Sequence, residues 1–414
     1  MPRVAILFDN FGPYHVARLA GAARLMDVLA VEVVEKSADY DWNRSAIPDT
    51  LTHIPLGARG GAHGTTWRDY QRLFDAKLAP FGPEAVAVCG WVTLADLAAT
   101  HWATRRGTPV IVMSETTPWD FARPPLVDTI KRRLVRHYSA ALCGAHCHKE
   151  YLVSLGLAPD AVLLGYDAVD NDYFVKEADS VRGSSAMPEL GFGKRLPEAA
   201  RGQYFLASAR FIEKKNLARL VEAYAAFRVG RSNTPDDWPL IILGDGKLRD
   251  DLGALRDTLG LDAFIHLPGF RQYGELPSFY ATAGAFIHAS TTEQWGLVVN
   301  EAMASGLPVL VSNRCGCAAE LIQEGVNGFT FDPLDTCRMA ELMRRIATGE
   351  ARAAMGAESR RIIADWGPDR FGSGLEAAVD AASKRGPRKL GIVDALLIRA
   401  VGERQNRVRN HPSD

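Results

Sequence analysis

The sequence predicts an α/β fold made of two units in tandem, each a buried parallel sheet with helices on both faces. Three observations carry this. Short, near-continuous apolar runs recur along the chain, as strands covered on both faces require. Amphipathic segments of helix length separate most of them, the pattern of β–α–β crossovers. From Lys176 to Gly202 the alternation stops, and afterwards it starts again.

In the first half, strands are expected over Arg3–Phe8, Val28–Val34, Val86–Cys89, Pro109–Met113, Ala140–Cys143 and Ala161–Leu164. Helices are expected over Tyr14–Met26, Trp67–Leu78, Leu94–Arg106 and Pro125–Tyr138. The break is punctuated by Gly183, Pro188, Gly191, Gly193 and Pro197 and reads as a linker or long loop. Strands then resume over Tyr204–Ala209, Leu240–Leu243, Phe264–Leu267, Ala285–His288, Pro308–Val311 and Gly328–Phe331. The helices between them are Leu217–Val229, Lys247–Leu259, Glu275–Thr282, Leu297–Ser305 and Ala318–Glu324. A helix-start signal at Trp366–Phe371 opens the helix Arg370–Lys384, which is expected to return to the first domain. The domain plan is therefore residues 1–180 joined by a returning helix over about 368–385, residues 200–367, and a basic amphipathic tail over 386–414.

At 414 residues the chain is long enough for two or three domains. Its 47% hydrophobic and 23% charged residues are ordinary for a globular protein, and a net charge of −1 argues against a nucleic-acid protein. The six cysteines form no extracellular framework, so a reducing compartment is expected. The first residues hold one charge and a short apolar run that ends at Asp9, unlike a signal peptide. No run reaches the ~20 apolar residues of a membrane-spanning helix. A cytoplasmic location is expected. Lys131–Arg136 and the tail segment Arg388–Arg399 combine cations with apolar faces and offer peripheral contact at the inner face of a membrane; solvated and packing faces are the simpler reading.

The stretch with most chemistry is Ser290–Gly306, between two expected strands. Glu293 falls in a turn, and Glu301 follows eight positions later in a helix. Between them Gly296 permits close backbone approach, and the N–H groups of Leu297 and Val298 open a helix N-terminus suited to an anion. A carboxylate-flanked anion site fits a ligand with both phosphate and hydroxyls, such as a sugar nucleotide. Arg210 and Lys215, at the end of the first strand of the second half, are cations able to neutralise a diphosphate, and Asn216 reads as a cap for the following helix. Phe270 and Arg271 follow Gly269 in a strand-end loop where a base could lie. Gly12 opens a helix after the first strand, and Glu115 ends a buried strand at the carboxyl edge of its sheet, where ligands gather. The pairs Asp39/Asp41 and Asp170/Asp172 have metal-binding spacing but read as solvated or turn-forming aspartates. Cys143, His146, Cys147 and His148 lack a second ligand pair at zinc spacing.

These motifs, in this order, resemble those of retaining glycosyltransferase family 4. Glu293 and Glu301 match its E-x7-E motif, and Arg210 with Lys215 match its Arg and Lys five residues apart. Leu243–Gly246, Pro268–Phe270 and Val169–Phe174 match further family segments. The resemblance implies the GT-B fold, two facing Rossmann-like domains with an interdomain cleft. It implies transfer of a hexose-type sugar from a nucleotide-diphosphate sugar to a glycan, lipid-linked or small-molecule acceptor, by a front-face step that needs no cofactor or metal. Glu293 would hold donor-sugar hydroxyls. Gly296, Leu297 and Val298 would hold sugar and diphosphate through their N–H groups, and Glu301 would bind ribose. Arg210 and Lys215 would stabilise the leaving diphosphate, Phe270 and Arg271 would border the base, and Gly12 would approach from the first domain. Many members have a His-Asp pair where this chain has Ser114-Glu115-Thr116, so Glu115 is the acceptor-side candidate. An epimerase of the same fold and a non-catalytic sugar-nucleotide-binding subunit are the alternative readings.

Overall fold

The computed structural model describes residues 1–34, 45–57, 65–120, 125–191, 194–229 and 238–410. Asp39 and Asp41 lie outside them.

Seven parallel strands form one sheet: β1 (Arg3–Phe8), β2 (Asp27–Glu32), β3 (Thr52–Pro55), β4 (Ala85–Cys89), β5 (Val110–Ser114), β6 (Ala140–Cys143) and β7 (Val162–Leu164), in the order β3-β2-β1-β4-β5-β6-β7. After a short antiparallel hairpin of β8 (Glu189–Gly191) and β9 (Lys194–Arg195), a second sheet begins. It holds β10 (Phe205–Ser208), β11 (Leu240–Leu243), β12 (Ile265–Gly269), β13 (Ala285–His288), β14 (Val309–Ser312) and β15 (Gly328–Phe331), also parallel. Its order is β12-β11-β10-β13-β14-β15. Both sheets reverse direction of growth beside their first strand, the doubly wound pattern that opens a crevice at the carboxyl ends of the central strands.

Burial explains why these runs pair. Val4, Ala5, Ile6 and Leu7 of β1 are fully buried, as are Leu240, Ile241 and Ile242 of β11. Both faces are covered, so the strands need no polar alternation. The connecting helices start at side-chain caps where the sequence supplies them: Thr66 accepts from the Asp69 N–H, Thr93 from Asp96 and Asp335 from Arg338.

Chain contacts divide the molecule into Met1–Val169 with the segment from Pro368 onward, and Asp170–Gly367. The helix Pro368–Arg385 lies in the first unit, where Phe371, Leu375 and Val379 enter the core under one sheet face. The helix Asn171–Arg182 lies in the second unit, packed on the helices Leu276–Thr282 and Leu297–Ala304. It also corrects the reading of 176–202 as a linker. That segment begins inside a capped helix, with Asp170 accepting from the Tyr173 N–H, and continues through the β8–β9 hairpin. The turn-rich composition hid a helix whose apolar face is only Phe174 and Ala178. β3 also escaped the sequence reading, because Thr-His-Ile-Pro at a sheet edge makes no apolar run.

Candidate active site

In the second unit, two loops at the carboxyl edge of adjacent strands are stitched together. β10 pairs with β13. The loop after β10 carries Arg210, Lys214 and Lys215; the loop after β13 carries Glu293. The Thr291 N–H donates to the Lys214 carbonyl at 2.8 Å. Asn216 adopts a left-handed backbone (φ 58°), and its amide donates to the carbonyls of Ala289 at 3.0 Å and Pro333 at 2.7 Å. Its side chain makes no cap bond to the helix Leu217–Arg228 that it precedes. The expected cap is thus a tether: the left-handed turn aims the amide away from its own helix and across to β13.

The tether brings Lys215 onto Glu293. Their side chains form an ion pair through Glu293 Oε2, both only 12% exposed. Lys214 Nζ lies 3.8 Å from Oε1, His288 Nε2 lies 3.4 Å from Oε2, and the Ser290 hydroxyl donates to Oε2 at 3.3 Å. Burial alone would raise the Glu293 pKa, but Lys215, His288 and Lys214 together hold the carboxyl well below its ordinary value. His288 is pushed down by burial, although its bond to Glu293 opposes this. Glu293 is therefore a carboxylate, and the imidazole beside it is neutral at pH 7.

Gly296 begins the helix Leu297–Ala304 with φ 105° and ψ 61°, a conformation that suits only glycine. A Cβ there would stand 3.6 Å from Glu293 Cγ and 3.5 Å from His288 Nε2. The helix start and the carboxylate therefore share one small space, as the motif spacing predicts. No side chain caps this N-terminus. The first N–H groups of a helix lack intrahelical acceptors, so this end favours an anion.

Arg210 is half-buried in the loop after β10. That loop is pinned by the next strand: the Ala209 N–H donates to the Leu243 carbonyl and the Phe211 N–H to the Asp245 carbonyl, at 3.0 and 2.7 Å. Gly244 permits this contact, since a Cβ would fall 1.8 Å from the Ala209 oxygen.

Glu301 is fully buried and accepts a 2.6 Å hydrogen bond from the Tyr280 hydroxyl. Burial and the Glu301 charge push the Tyr280 and Tyr273 hydroxyls up, so both stay protonated. Tyr273 stacks on Tyr173 with ring centroids 4.9 Å apart. Sequence reasoning missed these tyrosines, together with Lys214, His288 and Ser290; Lys214, His288 and Ser290 were signalled only by their place at or just after strand ends, whereas Tyr173 and Tyr280 lie within helices and carried no such signal. Arg271 is held in place, its guanidinium donating to the Glu189 carbonyl at 3.0 Å and lying 3.5 Å from Glu275. Phe270 precedes it, half-buried.

Gly12 and Glu115 lie in the first unit. The Gly12 N–H donates to His15 Nδ1 at 3.2 Å, and burial with the Arg18 guanidinium pushes that imidazole down to about 3. The Gly12 N–H is thus already committed to a neutral histidine. Glu115 follows β5 beside Asp167, whose carboxyl is pushed up by burial and by the Glu115 charge. Arg18 lies 3.5 Å from Asp167 and stacks on Tyr166. Among the described residues no three His, Cys, Asp or Glu side chains are grouped to hold a metal ion.

Residues 193–362 match the family model described as "Glycosyl transferases group 1". Alpha-monoglucosyldiacylglycerol synthase of Acholeplasma laidlawii is 34% identical over 124 residues, 30% of this chain and 30% of that protein. A GDP-mannose-dependent alpha-(1-6)-phosphatidylinositol monomannoside mannosyltransferase of Mycobacterium tuberculosis is 26% identical over 290 residues, 63% of this chain and 74% of that protein. The match thus spans less than a third of the first relative and about three quarters of the second. The crystal structure of HepE from Anabaena in complex with UDP and glucose superposes with a TM-score of 0.66 at 17% identity, covering 91% of this chain and 98% of that one. That likeness is one of fold. With its two doubly wound halves and the match over 193–362, the chain resembles the group 1, family 4-like glycosyltransferases of the GT-B fold.

Proposed function

We propose that the chain transfers a hexose-type sugar from a nucleotide-diphosphate sugar to a hydroxyl acceptor, with retention at the anomeric carbon and without a metal ion. One observation carries this: an ionised, nearly buried Glu293 packed against the Gly296 helix start and paired with Lys215. The carboxylate takes hydrogen bonds from sugar hydroxyls, while the N–H groups of Leu297 and Val298 face the diphosphate.

Lys215 and Arg210 supply two positive charges to the leaving diphosphate, an electrostatic role that grows as the bond breaks. The anomeric C–O bond to the phosphate breaks, the acceptor oxygen bonds to that carbon on the same face, and its proton passes to the leaving phosphate. No protein nucleophile is needed. Glu301, oriented by Tyr280, binds ribose, and its burial means that local opening accompanies nucleotide entry. Phe270 and Arg271 border the base; of the first-unit residues, Gly12 is the donor-binding candidate and Glu115 the acceptor-side candidate.

The names of the relatives support nucleotide-sugar donors, with GDP-mannose in one and UDP with glucose in the HepE structure. A thermal-shift screen of UDP-, GDP- and ADP-sugars identifies the donor, since a ligand of the native state raises its stability by mass action. Acceptor-dependent donor consumption then establishes transfer. Turnover is expected to survive EDTA, the outcome that a diphosphate held by Arg210 and Lys215 without a metal predicts. Unchanged turnover in both Glu293→Ala and Arg210→Ala would overturn the assignment.

A further inference from the structure

On the first unit a groove of about 620 Å³ lies between the helix Pro125–Val135 and the segment entering the last helix, Ile392–Asn410. Five cations line it: Arg132, Arg133, Arg136, Arg388 and Lys389. The carboxylate lining it, Asp394, is bonded to Arg133 at 2.6 Å and so offsets one of them. Arg132, Arg136 and Lys389 are exposed, and Arg388 is steered by a 3.3 Å bond to the Tyr138 carbonyl. In a chain of net charge −1 this is a local concentration of positive charge.

Apolar side chains follow at once. Ile392, Val393 and Leu396 are 82%, 62% and 64% exposed. The helix cannot roll to hide them. Its opposite face is fixed by Ile398, buried at 1%, and by Gly402, which seats against Leu94 and Leu97 of the helix Leu94–Arg105. Arg399, Arg404 and Arg407 continue the exposed side.

An anion-accepting groove beside an outward apolar knob is complementary to a lipid surface, where phosphates overlie hydrocarbon. A nucleic acid would use the cations, but aliphatic side chains give bases no stacking platform. Among the described residues no helix is long and apolar enough to cross a membrane, so contact would be along the surface. We propose that this face docks the protein on an anionic phospholipid membrane, with headgroup phosphates in the groove and Ile392, Val393 and Leu396 in the interfacial layer.

Flotation of the full chain with phosphatidylcholine vesicles, with and without phosphatidylglycerol, tests this. The chain is expected to float only with the anionic vesicles, and less so as salt rises. Arg132→Ala/Arg136→Ala/Lys389→Ala should bind roughly 100-fold more weakly, at about tenfold per 1.4 kcal/mol and the usual contribution of each surface cation. Ile392→Ser/Val393→Ser/Leu396→Ser should keep the salt-labile binding and lose what survives high salt. All six positions are exposed, and both variants should keep the wild-type unfolding midpoint and its shift by nucleotide sugar. Either variant alone suffices if the other fails to fold. The proposal is overturned if wild type ignores anionic vesicles, if the charge variant floats like wild type, or if duplex DNA or inorganic phosphate displaces the chain from the vesicles at equal phosphate concentration.

Discussion

At Glu293 burial opposes the charge, and Lys215, His288 and Lys214 restore it. The sign of the resulting pH dependence follows. A carboxyl with a depressed folded pKa stabilises the fold above its unfolded value, ordinarily 4.5, and loses that contribution as pH falls towards the folded value. Wild type should therefore exceed Glu293→Gln in unfolding midpoint at neutral pH, with the gap shrinking below pH 4.5. The same variant should lower donor turnover by on the order of 100-fold, as loss of a preorganised electrostatic contact does; steady-state rates at saturating donor check this. The Glu293–Glu301 spacing and the Arg210–Lys215 pair were legible because they sit within short segments. The meeting of Lys215 with Glu293, 78 positions away, was not, since it depends on β10 and β13 becoming neighbours. His288 and Tyr280 were illegible for the same reason: each looks like a core residue until the carboxylate it faces is known.

Among elements, the turn Glu213–Asn216 determines where the cations point. Asn216→Ala removes two hydrogen bonds to buried carbonyls, at about 2 kcal/mol, and loses somewhat more because alanine adopts the left-handed region less readily than asparagine. Asn216→Gly relieves the backbone but not the bonds, so about 2 kcal/mol should remain. Urea titrations of the two variants separate the contributions, and equal losses in both would locate the whole effect in the side chain. Turn chemistry was visible in the sequence only as a helix cap, because Asn before a helix is common and its left-handed backbone carries no local signature. The strands of both sheets were legible wherever burial on both faces made an apolar run, as in β1 and β13. β3 and the helix Asn171–Arg182, with one weakly apolar face each, left no such run.

For the molecule as a whole, the first unit depends on the far end of the chain. Phe371, Leu375 and Val379 are buried to 2% or less in its core. At about 1.5–3 kcal/mol each they contribute roughly 5–9 kcal/mol, comparable with the whole stability of a domain. A chain ending at Gly367 should therefore lose the cooperative unfolding of the first unit and expose its core, whereas one ending at Arg385 keeps the helix Pro368–Arg385 and should retain cooperative unfolding, with only the patch around Leu94 and Leu97 newly exposed. Calorimetry with dye binding distinguishes the two. The discontinuity also has a consequence during synthesis. Between Val169 and Pro368 lie 198 residues that belong to the other unit. At typical elongation rates they take roughly 10–40 s to emerge from the ribosome. For that interval the amino-terminal half waits, unfinished, with the sheet face meant for the helix Pro368–Arg385 uncovered. The later-made unit, contiguous in sequence, has all its strands in hand before the earlier one is complete, so a chaperone bound to the nascent chain should find its apolar target in the first half.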